Sequence, residues 1–171
     1  MIEGADILVT GVTGLIGGEL VRRLVGLGAR RVYCLVRPRG RAGAAERLAD
    51  RFQGRDDDDG PMRAVEAIAG DVTAPRFGLG EADERRVTGG VSLIIHCASE
   101  LSFLRDARCR QTNVTGMHHL IDLVRRCQWE PLLVHVSTAT ICGQVRHCSV
   151  SETEDASGAD DHHNEYTRTK A

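Results

Sequence analysis

Asp6–Gly18, Asp-Ile-Leu-Val-Thr-Gly-Val-Thr-Gly-Leu-Ile-Gly-Gly, is the stretch on which the fold turns. Ile7, Leu8 and Val9 read as a short buried strand. The chain then breaks into Gly11, Gly14 and Gly17, spaced three apart. Leu15, Ile16, Leu20, Val21, Leu24 and Val25 follow at helical intervals up to Gly26 and Gly28. The order is strand, glycine turn, amphipathic helix. In a dinucleotide site one glycine permits the tight turn, one lets a pyrophosphate approach the backbone, and one lets helix and strand pack closely. The helix N-terminus then offers free N–H groups and the positive end of its dipole to the phosphates. This context separates the triplet from a chance run of glycines. It marks Gly11, Thr13, Gly14, Leu15, Ile16 and Gly17 as cofactor-binding candidates.

Outward from that stretch, apolar runs at Arg31–Val36, Val65–Ala69, Val91–His96 and Leu132–Val136 read as further strands. Helical patterns at Ala42–Phe52, Glu81–Arg86 and Arg105–Arg126 lie between them, with Gly116 allowing close packing in the last. Such alternation predicts an α/β fold, a Rossmann-like doubly wound parallel sheet with helices on both faces and right-handed crossovers. About 20 residues past the glycines, an acidic residue commonly holds the adenosine ribose hydroxyls. Arg37 stands there instead, followed by Arg39 and Arg41. A guanidinium pairs with a 2′-phosphate that a carboxylate would repel, so NADPH is expected over NAD; a solvated basic loop is the alternative. Asp71, just past the third strand and beside Val72, fits an adenine amino group or a plain turn. Cys97-Ala98-Ser99 places small residues where backbone passes close to a cofactor.

The 171 residues suffice for one domain with a real core. A formal net charge of -2 argues against a nucleic-acid or anionic-membrane partner. No apolar run approaches a membrane span, and the N-terminus carries no signal pattern, so a cytoplasmic setting is expected. The six cysteines form no C-x-x-C pair. They read as reduced fillers rather than disulfides or metal ligands. No metal site is expected. The run Asp56–Asp59 reads as a solvated loop, the pairs His118-His119 and His162-His163 as surface or capping residues, and Val150–Glu165 as a loop over the site.

Tyr166 and Lys170 stand four apart, on one face of a helix. Lys170 is the only lysine among the 22 Lys and Arg residues. An ammonium near a phenol favours its ionised form, which suits proton exchange with a substrate oxygen, and the ammonium can also hold a nicotinamide ribose. Thr138, after the fifth strand, is placed to donate to the same oxygen.

Thr10-Gly11-Val12-Thr13-Gly14-Leu15-Ile16-Gly17 together with Tyr166-x-x-x-Lys170 resembles the extended short-chain dehydrogenase/reductase superfamily. Val32–Arg37, Gly70–Leu79 and Ser99–Phe103 are similar to thioester reductase and fatty acyl-CoA reductase domains. The resemblance implies NADPH-dependent reduction of an acyl thioester, bound to coenzyme A or a carrier protein, or of the derived aldehyde. It further implies Thr138 as hydroxyl donor, Tyr166 as acid, Lys170 as its partner and a cofactor contact, and Asn113 as a supporting residue. Arg37 would meet the 2′-phosphate and Asp71 the adenine. Two other readings remain: a nucleotide-sugar epimerase or dehydratase, and an NADP-binding module without catalysis. Residues 1–171 are expected to be the N-terminal, NAD(P)-binding part of a longer reductase whose remaining strands and substrate domain lie beyond Ala171. On that view the Tyr166–Lys170 helix lacks packing partners and frays.

Overall fold

The computed structural model describes residues 2–53, 61–102, 106–144, 149–153 and 162–171. The acidic run Asp56–Asp59, Phe103, Cys148 and residues 154–161 of the 150–165 stretch lie outside them. Five parallel strands, β1 (Asp6–Thr10), β2 (Arg31–Val36), β3 (Val65–Ala69), β4 (Leu93–His96) and β5 (Leu132–His135), pair in the order β3-β2-β1-β4-β5. All five residues of β1 are buried, as a central strand covered on both faces requires. Buried Asp6 at its start is held by two 2.8 Å hydrogen bonds from Arg30.

Helices α1 (Leu15–Gly26) and α2 (Ala44–Phe52) cover one face. There Val21, Leu24 and Leu48 pack on Ile7, Val9, Cys34 and Ile95. On the other face α3 (Glu81–Gly90) and α5 (Gly116–Arg125) bring Val87, Leu120 and Leu123 against Leu8, Leu35, Ile68 and Ile94. At β5 the first face is bare: Leu132 and Val134 remain 51% and 41% exposed. Chain direction across the sheet reverses between β1 and β4. A crevice therefore opens beyond their C-terminal ends.

Several boundaries differ from expectation. Arg39 and Ala42 exchange both backbone hydrogen bonds around Gly40, which delays α2 to Ala44. α3 runs on to Gly90, because buried Val87 anchors it and Thr88 Oγ1 donates back to the Glu84 carbonyl at 2.8 Å. Val91 then closes α3 rather than opening β4. Val136 follows β5, its N–H on the His96 carbonyl. The expected helix over Arg105–Arg126 is three pieces. A short α4 (Asp106–Cys109) leads into a π-helical turn, Arg110–Thr115, before α5. π-turns inside helices cluster at functional sites, and this one carries Asn113.

Gly11 and Gly17 explain the spacing of the first motif. Gly11 has φ +72, and a Cβ there would lie 2.6 Å from the Ala98 nitrogen and the Cys97 carbonyl carbon. A Cβ on Gly17 would lie 2.7 Å from the Gly11 carbonyl carbon. Turn, helix and the end of β4 therefore meet backbone to backbone. Gly11→Ala should destabilise by roughly 2–4 kcal/mol, from the strained φ and the overlap together. Gly26→Ala, with nothing within 4 Å, should be neutral. Thermal denaturation of the two variants checks the contrast.

Candidate functional site

A cleft of about 500 Å³ lies along the C-terminal ends of the strands. Its floor is the glycine turn, and Gly11, Thr13, Gly14, Leu15, Ile16 and Gly17 all line it. Gly14 is the N-cap of α1 and no side chain caps the helix, so its first turn presents backbone N–H groups to the cleft. Leu15 and Ile16, which the apolar pattern assigns to the helix face, are instead 81% and 54% exposed at that mouth.

Arg37 and Asp71 line the wall past β2 and β3, with Val72 beside them. The two form an ion pair at 3.5 Å. Asp71 Oδ1 also accepts from the Thr73 N–H and hydroxyl, both at 2.9 Å. The loop behind Asp71 is held by a left-handed turn: Arg76 and Phe77 adopt φ 55 and 59, and the Asp71 N–H donates to the Phe77 carbonyl at 2.8 Å. Buried Phe77 anchors that turn in the core. His119 donates from Nδ1 to the Val72 carbonyl at 3.0 Å, while His118 is exposed, as a surface or capping pair should be. Arg39 and Arg41 are exposed and do not line the cleft.

The opposite wall is Cys97, Ala98 and Ser99, continuing into Glu100 and Leu101. Asn113 is buried behind it. Its Oδ1 accepts from Ser99 Oγ at 3.0 Å and from the Glu100 N–H at 2.9 Å. Its Nδ2 donates to the Glu100 carbonyl at 3.2 Å and to Thr169 Oγ1 at 2.9 Å. One side chain thus ties the cleft wall to α6 (Glu165–Lys170).

The expectation that α6 lacks partners is corrected. Asn164 caps it by accepting from the Thr167 N–H at 3.0 Å, and Arg110 pairs with Glu165 at 2.6 Å. Ser137 Oγ donates to the Lys170 carbonyl at 3.2 Å, and Asn113 holds Thr169. These partners sit on the π-turn and after β5, within the same stretch of chain.

Tyr166 lines the cleft together with Val136 and Ser137. Thr138 does not; its hydroxyl lies 3.1 Å from that of Thr140, in an exposed turn. The Lys170 amine does not line the cleft either. It donates to the Val136 carbonyl at 2.7 Å and sits 3.4 Å from His135 Nε2.

The family model for "Male sterility protein", an NAD-binding domain, matches residues 9–171. The chain belongs to this family. Rat fatty acyl-CoA reductase 1 is 32% identical over 148 residues, 80% of this chain and 28% of that protein. The terminal R domain of the myxalamid PKS-NRPS biosynthetic pathway superposes with TM-score 0.86 at 26% identity, over 98% of this chain and 43% of that one. The R domain of a Mycobacterium tuberculosis nonribosomal peptide synthetase gives 0.80 at 26% identity, over 99% and 43%. The chain thus spans less than half the length of these relatives.

Within this male sterility-type domain, two features escape the sequence reading. Arg47, on α2, lines the cleft beside Arg37 and donates to the Arg37 carbonyl. Only the helical phase of α2, delayed by the Gly40 turn, brings it there. The second is a polar ladder across the sheet. Thr10, His96 and His135 are register neighbours at the ends of β1, β4 and β5. The Ala98 N–H donates to Thr10 Oγ1 at 3.1 Å, and the same hydroxyl is hydrogen-bonded to His96 Nδ1 at 2.9 Å. The His96 and His135 rings stack at 5.5 Å. In a lone sequence each histidine simply ends an apolar strand.

Burial, with the neighbouring His135 and Lys170 charges, lowers the His96 pKa to about 3. Burial and Lys170 lower that of His135 to about 4. Both are ordinarily 6.5. Burial also holds the Lys170 amine below its usual range, while nearby Cys97 acts the other way. Between the folded and unfolded histidine values the unfolded chain binds more protons. Stability from this pair is therefore complete above pH 6.5 and lost as pH falls towards 4 and then 3. Each histidine contributes about 1.4 kcal/mol per pH unit in its window. Urea denaturation at a series of pH values should show that slope, and His96→Gln should flatten it.

Proposed function

We propose that this chain is the cofactor-binding part of an NADPH-dependent reductase of acyl thioesters, carried on coenzyme A or a carrier protein, or of the aldehyde derived from them. The observation that carries the reading is that the glycine turn, the arginine wall and Tyr166 share one cleft. Similarity to a fatty acyl-CoA reductase and to two R domains of biosynthetic assembly lines supports the substrate class. No long apolar helix among the described residues would tether it in a membrane. A cytoplasmic setting, where free thiols stay reduced, suits the free cysteines.

The donor set fits a phosphorylated dinucleotide. Uncapped N–H groups at α1 suit a pyrophosphate, and Arg37 with Arg47 suits a 2′-phosphate. Asp71, braced by Thr73 and Arg37, presents its carboxylate to an adenine amino group. When bound, the cofactor supplies the hydride. The chain's own part is to orient and protonate. Tyr166 donates its phenolic proton to the carbonyl oxygen being reduced, and the Lys170 ammonium on the same helix stabilises the phenolate left behind. Asn113 keeps the Ser99–Glu100 wall and α6 at fixed separation. Thr138, whose hydroxyl sits against that of Thr140, would be the hydroxyl donor to the substrate oxygen.

Titration with NADPH and NADH, read by nicotinamide fluorescence, tests the cofactor. NADPH should bind more tightly. Arg37→Ala should weaken it about 10- to 100-fold, the worth of a charge-assisted hydrogen bond, with NADH little changed. Arg47→Ala should act in the same direction. Equal losses for both cofactors would overturn the 2′-phosphate assignment. Oxidation of NADPH on adding an acyl-CoA tests the reaction; binding without turnover would favour a non-catalytic module.

A further inference from the structure

Lys170 is the sole lysine of the chain, half-buried, and its amine bonds to the Val136 carbonyl at the end of β5. A half-buried ammonium needs acceptors for its three protons. The Val136 carbonyl takes one at 2.7 Å, and His135 Nε2 lies 3.4 Å away. With Nε2 as acceptor, the ring proton of neutral His135 sits on Nδ1, which is buried and finds no partner among the described residues. The His135 ring is not free to turn away. It stacks on His96, 25° from parallel, and His96 is fixed by Thr10, which is fixed in turn by the Ala98 N–H. Ala98 lines the cleft. The anchor of Lys170 is thus continuous with the cleft wall.

We propose that His135 is the positioning residue for Lys170: its neutral imidazole accepts a hydrogen bond from the ammonium at Nε2, and with the Val136 carbonyl it keeps the amine charged and seated at the end of β5. His96 acts at one remove, holding the His135 ring. The titratable groups around the amine are His135 on β5 and His96 and Cys97 at the end of β4, with Tyr166 one turn earlier on the same helix α6; no carboxylate contacts the amine among the described residues. Among the described residues the acceptors that hold the charge are neutral. The catalytic consequence rests on the reductase reading above, but the geometry does not.

The single lysine makes the test direct. Protein labelled with ¹³Cε,¹⁵Nζ-lysine gives one side-chain amine signal, whose titration reads Lys170 alone. His135→Phe keeps the ring volume and the stack but removes the acceptor. It should lower the Lys170 pKa relative to the unsubstituted protein. His135→Gln, whose amide oxygen sits near the place of Nε2, should restore it in part. Identical titration in all three proteins overturns the proposal, as does an equal drop in the two variants. If His135→Phe fails to fold, the unsubstituted protein still decides. The His135 ring nitrogens should show a second inflection as Lys170 loses its proton, and a flat response there overturns the proposal. In turnover assays the alkaline limb of kcat should move to lower pH in His135→Phe, because charged Lys170 is lost earlier, and return in His135→Gln. A protein with the titration behaviour but no turnover supports the cradle and favours the non-catalytic module over the reductase reading.

Discussion

The contact between Gly11 and the Cys97–Ala98 peptide is what the rest of the molecule depends on. It joins the β1–α1 turn to the end of β4 with no side chain between them. Because Gly17 packs on Gly11 in turn, the start of α1 cannot rise or slide without moving both strands. The uncapped helix terminus and the Cys97–Ser99 wall are therefore set at one separation, the separation that makes a cleft. Interiors transmit such constraints because they are packed at crystal-like density. The same Ala98 nitrogen orients Thr10, and through Thr10 the histidine ladder. Cofactor cleft and lysine anchor are two readouts of one junction.

The sheet was legible because every strand buried on both faces must be a continuous apolar run, and Ile7–Val9, Val32–Val36 and Leu93–Ile95 are. The glycine turn was legible for a similar reason. Glycine spacing reports backbone contacts, which do not depend on distant chain. What failed were features set by hydrogen bonds made elsewhere. The π-turn at Arg110–Thr115 leaves no mark in the apolar periodicity of that helix. Arg47 reaches the cleft only because Arg39 and Ala42 close a tight turn first. His96 and His135 become a pair only through β4–β5 register, a relation of residues 39 positions apart.

The C-terminal helix α6 divides along the same line. Tyr166 in the cleft follows from helical spacing and the position of α6. The Lys170 amine does not follow from spacing alone, since its long stem can swing and the acceptor at Val136 decides where it goes. Asn113 shows how a single buried amide can replace what spacing cannot supply. With four hydrogen bonds it fixes the wall against α6. That satisfied network is worth more in uniqueness than in net stability.

The bare flank of β5 has a consequence of another kind. Leu132 and Val134 turn apolar side chains to solvent on a strand at the sheet's edge, and Trp129 just before them is 71% exposed. Unpaired strand edges with apolar faces recruit other strands. Among the described residues this apolar edge lies at the opposite end of the sheet from β3 and the arginine wall. Charged substitutions there would improve handling without touching a single cleft residue.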